Sequence, residues 1–229
     1  DPAITRSVNL DGTRQVMQLA KQAGVERLLY ASSASVYGLR EESRVTEDLE
    51  LEPLTLYARY KAEGEEILSG LLGGGFEGVS VRSATVCGMS PRLRLDLTVN
   101  ILTHQAVCRR KITVFGGTQV RPNVHVADLA ELYTLLLDAE GVSGEAFNVS
   151  ESNATVREIA EIVRGEVDAS IPIETIATND NRSYRLDSSK LTRVLGWKTS
   201  RGIVDAVRDL SQAFAAGRIP EPESAQYRN

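Results

Sequence analysis

Tyr57 and Lys61 stand four apart in Tyr57-Ala58-Arg59-Tyr60-Lys61, a spacing that puts both side chains on one face of a helix. A free phenol titrates near pH ~10 and is a poor base at neutral pH. An ammonium a few ångströms away favours the phenolate and draws that value toward the working range. Upstream, Leu28-Leu29-Tyr30-Ala31-Ser32-Ser33-Ala34-Ser35-Val36-Tyr37-Gly38 is an apolar run that ends in small hydroxyl residues. It reads as a buried parallel strand whose carboxyl end delivers a serine, the place where open α/β sheets put their chemistry.

The elements that must position these groups follow in order. Residues 3–23 carry Ile4, Val8, Met17, Leu19, Ala20 and Ala23 as a moderately amphipathic helix, closed by Gly24 as a left-handed cap. Within it, Gly12 is expected to let the helix pack close on the sheet. Asn9 is open between a structural hydrogen bond and an indirect cofactor contact. Residues 25–31 are expected as the serine strand, 38–53 as a charged loop, and 55–72 as the helix of Tyr57 and Lys61. Gly73-Gly74-Gly75 follows a helix instead of opening one, so it predicts a flexible turn and not a phosphate cradle. Residues 79–86 read as the next buried strand.

Beyond Ser90 the pattern predicts helices over 95–109, 128–137, 156–163, 188–195 and 202–216, with strands at 112–115, 146–149 and 171–176. His125, one of two histidines, reads as a packed core residue on a short strand, and Asp128 as the cap of the helix that follows. The tail from Pro220 is polar and is expected to be mobile.

Length and composition bound the rest. A chain of 229 residues can bury a core as one large or two small domains. The net charge of −5 without a basic stripe argues against a nucleic-acid partner. No apolar run reaches ~18 residues. Cys87 and Cys108 sit in apolar contexts, which favours a reducing, cytoplasmic setting. No metal-ligand cluster and no internal repeat is visible.

The pairing of Ser-Ser-Ala-Ser-Val-Tyr-Gly with the Tyr/Lys spacing about two dozen residues later resembles the extended short-chain dehydrogenase/reductase family, the NAD-dependent epimerases and dehydratases of nucleotide sugars. The resemblance implies an α/β fold: a partial doubly wound, Rossmann-type parallel sheet with a smaller, discontinuous α/β substrate domain. On this reading residues 1–89 complete the dinucleotide-binding domain. Residues 90–229 are mainly substrate domain, with 123–150 returning to the sheet. It implies a catalytic set of Ser33, Tyr57 and Lys61, with Ser33 chosen over Ser32 and Ser35 because it stands three before Val36-Tyr37-Gly38. Ala31, Ser32, Tyr57, Lys61, Ala84 and Val86 would line the cofactor, NAD or alternatively NADP. Ser33, Thr85, Asn100, Arg121 and Arg182 would contact a nucleotide-diphosphate sugar, the two arginines through its phosphates.

The family's dehydratases follow their Ser or Thr with an Asp-Glu pair. Ala34-Ser35 occupies that place, so an epimerase is expected over a 4,6-dehydratase. An NADPH-dependent keto-sugar reductase and a non-catalytic binding or assembly subunit remain the alternatives. No Gly-x-x-Gly-x-x-Gly or Gly-x-Gly-x-x-Gly turn follows any strand. The family's cofactor-cradling half would precede Asp1; a lost or omitted piece is expected over a natural half-enzyme, since the chain does not begin with Met. Without that half the serine strand is expected to present an open apolar edge. The resemblance also implies a homodimer through the helices 3–23 and 55–72, with Ile67, Leu68, Leu71 and Leu72 as the surplus apolar surface.

Overall fold

The computed structural model describes residues 1–40, 42–179 and 183–228. The chain divides into two compact units: residues 1–84, 131–149 and 186–198 form the first, and 85–130, 150–185 and 199–229 the second.

The first unit is built on three parallel strands in the order β1 (Arg27–Ser33), β2 (Glu77–Ser83), β6 (Ala146–Val149). Their register sets Ser33 beside Ser83 and Ala31 beside Val81. Among the described residues β1 is hydrogen-bonded on one side only, to β2. The strand begins and ends two residues later than the apolar pattern suggests, because Arg27 is drawn into the sheet. Its guanidinium pairs with Glu77 and donates to the carbonyls of Leu136 and Leu137.

Residues 2–22 wind as α1 (Pro2–Arg6), a π-helical turn (Ser7–Gly12) and α2 (Thr13–Gln22). A Cβ on Gly12 would lie 3.2 Å from the Ser7 carbonyl oxygen. The glycine therefore serves the wide turn of its own helix, and not packing on the sheet. Asn9 in that turn donates to the Thr5 carbonyl at 3.1 Å, the structural half of its two expected roles.

Thr55 caps α3 (Leu56–Leu71), its hydroxyl accepting from the Ala58 amide at 3.1 Å. Gly73, Gly74 and Gly75 all take positive φ, a turn closed to side-chain-bearing residues. Met17, Tyr30, Leu68 and Phe76 form the core under α2 and α3, with Ile67, Leu71 and Leu72 packed around them. Those last three and Leu68 are thus intrachain core, a correction to their expected role as surplus dimer surface. Of the leucines of α3 only Leu56, in its first turn, is exposed, and the more open apolar residues lie elsewhere, at Ile4, Val8, Val16 and Leu19.

The second unit holds the sheet β3 (Thr85–Cys87), β5 (Val120–His125), β7 (Ser152–Thr155) and the parallel pair β4 (Ile112–Phe115) and β8 (Ile173–Ile176). Helices α4 (Thr98–Arg109), α6 (Val156–Val167) and α8 (Ile203–Ala215) enclose a core that includes Val99, Leu102, Ile112, Ile159, Val163 and Val207. α5 (Val126–Asp138) spans the boundary between the units, and α7 (Ser189–Leu195) lies in the first.

Three expectations are corrected here. The single strand over 79–86 is two, β2 and β3, in different sheets. Polar residues recur throughout this stretch, at Ser80, Arg82, Ser83 and Thr85, so composition marks no point at which the chain changes sheet. Asp128 does not cap α5; its fully buried carboxylate accepts from the Ser200 and Arg201 amides at 2.8 and 2.9 Å and from the Arg201 guanidinium at 2.6 Å. The polar tail is tied down: Leu95 donates to the Tyr227 carbonyl at 2.8 Å, and Arg109 forks onto Glu223.

Candidate functional site

Tyr57 lies in the first turn of α3 and is 42 % exposed. One turn on, the Lys61 ammonium stands 5.6 Å from the centre of the Tyr57 ring and 5.1 Å from that of Tyr30. It spends one proton on the Ala31 carbonyl at 2.8 Å. Burial pushes the Lys61 pKa below its usual range, because desolvation penalises the charged form.

The three serines of the strand end have three different employments. Ser32 is buried, and its hydroxyl donates to Glu65. Ser33 caps a short 3-10 turn over Ala34–Tyr37, and its oxygen accepts from the Ser35 amide at 3.2 Å and the Ser35 hydroxyl at 2.9 Å. With both lone pairs engaged, the Ser33 hydroxyl is left as a donor. Ala31 is exposed in mid-strand and Ala84 is buried beyond the end of β2.

In the second unit, Thr85 and Val86 of β3 pair with Asn123 and Val124 of β5. Asn100 is buried, accepting from the Gly88 amide at 3.1 Å and donating to the Arg94 carbonyl at 2.8 Å. Arg121 lies on β5, partly exposed, and donates to the Val120 carbonyl at 3.2 Å. Arg182 lies outside the described residues. His125 is buried: its Nδ1 accepts from the Ala127 amide at 3.2 Å, and its Nε2 stands 3.2 Å from Asp209. No group of three or more His, Cys, Asp and Glu suited to a metal occurs among the described residues. No helix among them is long and apolar enough to cross a membrane.

Sequence reasoning missed a buried polar network beside these residues. Arg82, on β2, forks onto Glu65 with contacts of 2.6, 3.0 and 3.1 Å, and both side chains are almost wholly enclosed. The far side of the guanidinium donates to the Tyr37 hydroxyl at 2.8 Å and the Glu47 carbonyl at 3.2 Å. Tyr37 donates in turn to Asn148 on β6 at 2.8 Å. Burial raises the Tyr37 pKa to about 12, so it stays a neutral donor. Two signals were present: an arginine inside an apolar strand, and a glutamate four residues beyond Lys61.

The three parallel strands with flanking helices define a Rossmann-type α/β protein. A model of the NAD dependent epimerase/dehydratase family matches residues 1–150, and the chain belongs to that family. UDP-glucose 4-epimerases of Lactobacillus helveticus and Streptomyces lividans are each 29 % identical to it, over 87 % and 88 % of this chain and 67 % and 66 % of theirs. The chain thus spans about two thirds of these relatives' length. MoeE5 in complex with UDP-glucuronic acid and NAD superposes with a TM-score of 0.80 at 26 % identity, over 91 % of this chain and 71 % of that one. RMD from Pseudomonas aeruginosa complexed with NADPH gives 0.85 at 23 %, over 94 % and 76 %, a likeness of fold.

Proposed function

We propose that this chain is the proton-handling and sugar-binding part of an NAD-dependent nucleotide-sugar epimerase, working through Ser33, Tyr57 and Lys61. The observation that carries the reading is the partly desolvated Lys61 ammonium beside an accessible Tyr57 phenol. Family membership and the UDP-sugar epimerases among its relatives support the same class.

In this mechanism Tyr57, as phenolate, takes the proton of a sugar hydroxyl and later returns it. Lys61 stabilises the phenolate through space and has two protons left, after Ala31, for a ribose hydroxyl. Ser33 donates to the same sugar oxygen, since its own oxygen is already occupied. Arg121 supplies a guanidinium for the diphosphate. The chemistry that bound NAD would supply is reversible hydride exchange with the sugar carbon. Two observations support a nicotinamide end here: the small Ala31 side chain is exposed on β1, and Lys61 retains protons for a ribose. The Gly-rich turn that would hold its pyrophosphate has no counterpart in this sequence.

The test uses the protein with any residues its gene encodes before Asp1, supplied with NAD and UDP-glucose. Tyr57→Phe should lower turnover by ~10²–10⁴-fold, the range for a positioned acid–base group. Affinity for UDP-glucose should stay within a few-fold, because the phenol acts on the transferring proton. Retention of most activity would overturn the assignment.

A further inference from the structure

Helix α3 carries Tyr57, Lys61 and Glu65 at successive fourth positions, one stripe along its length. Two of the three grip β1 at adjacent residues. Lys61 donates to the Ala31 carbonyl at 2.8 Å, and Glu65 accepts from the Ser32 hydroxyl. The next residue is Ser33. A carboxylate on a flexible stem would make a loose clamp, but Arg82 engages both of its oxygens from β2. Arg82 is itself fixed by Tyr37 and by the Glu47 carbonyl, and its guanidinium lies 5.2 Å from the Tyr37 ring centre.

A buried ion pair is an expensive way to fill space, since apolar residues of similar volume would stabilise the unit as well or better. What a carboxylate adds is direction. Its hydrogen bonds leave only one arrangement of the α3 stripe against the end of β1. We propose that Glu65, oriented by Arg82, is a positioning residue that sets the Ser33 hydroxyl against Tyr57 by holding Ser32. This inference rests on the Ser33/Tyr57/Lys61 reading.

Glu65→Gln strands the Arg82 charge and threatens the fold, so Ser32→Ala carries the test. It removes the clamp while leaving the Glu65–Arg82 pair whole. In the full-length protein with NAD and UDP-glucose, Ser32→Ala should lower kcat at least about tenfold, as small misplacements of reacting groups do. KM for UDP-glucose and for NAD should stay within about twofold, and Ser32→Thr, which restores the hydroxyl, should recover most of kcat. Without cofactor or substrate, hydrogen exchange at the Ser35 amide, which is bonded to Ser33, should quicken in Ser32→Ala while global exchange is unchanged.

Unchanged kcat and unchanged Ser35 exchange in Ser32→Ala would overturn the proposal. So would a rise in KM for NAD that accounts for the whole effect. If Tyr57→Phe is itself active, the underlying reading falls. If Tyr57→Phe is dead and Ser32→Ala is fully active, only the positioning role falls.

Discussion

A serine is useful in an active site only if its proton points where it is needed. Ser35 arranges this for Ser33 with two groups, its amide and its hydroxyl, both aimed at the same oxygen. Ser35→Ala keeps the amide contact and deletes the other. The lost contact belongs to the neutral class of hydrogen bond, worth ~0.5–1.5 kcal/mol, which corresponds to about a 2- to 12-fold fall in kcat. Steady-state kinetics should find that fall with KM for UDP-glucose nearly unchanged. A KM effect without a kcat effect would mean that Ser35 serves the substrate directly. At this scale the sequence told much. The spacing of Tyr57 and Lys61 placed both on one helix, where the Lys61 ammonium lies 5.6 Å from the Tyr57 ring centre. That Ser32 turns inward to a glutamate was not legible, because its partner lies thirty-three residues away on another element.

At the level of elements, the contact between α3 and β1 depends on the absence of a side chain at Gly64. A Cβ there would lie 2.2 Å from the Tyr30 hydroxyl and 2.5 Å from the ring carbon bearing it. Alanine in a helix interior ordinarily gains ~0.5–1 kcal/mol over glycine. Here the sign should reverse, with Gly64→Ala destabilising the protein by about 1–3 kcal/mol through overpacking. Urea unfolding would show it as a lower midpoint at constant slope. A stabilised variant would mean that helix and strand separate easily. Helices and strands were mostly legible because each satisfies a period. The errors came where period carries no information. One strand-like stretch passed from one sheet to another at Ala84, and β7, with Ser152, Asn153, Ala154 and Thr155, has too little apolar character to announce a strand. Asp128 has a helix-cap residue type at a helix start, yet its partners Ser200 and Arg201 lie some seventy residues downstream.

For the whole molecule, the open apolar residues of α1, the π-helical turn and α2 are the surface that asks for a partner. Ile4, Val8, Val16 and Leu19 are each more than half exposed, while Leu68 and Leu71 of α3 pack against their own unit's core. A homodimer that joins these helices is therefore expected, with the first helical segment supplying most of the apolar contact. Sedimentation at micromolar concentration should give a dimer, and Val8→Glu with Val16→Glu should give a folded monomer. A monomeric parent protein would defeat the expectation.

The division into two units has another consequence, for the order in which the chain can fold as it is made. Neither unit is continuous: their six segments alternate along the sequence, so the chain crosses between them five times. Roughly sixty residues separate β2 from its neighbour β6, several seconds of synthesis at ~5–20 residues per second. During that interval β1 and β2 have emerged without the strand that completes their sheet. The first unit also lacks α7 until Leu195 is made. Its protease-resistant core should thus appear on ribosome-bound chains only after residue 198 has emerged, and in one step. Earlier protection of residues 1–84 would show that the two-stranded sheet with α2 and α3 stands alone.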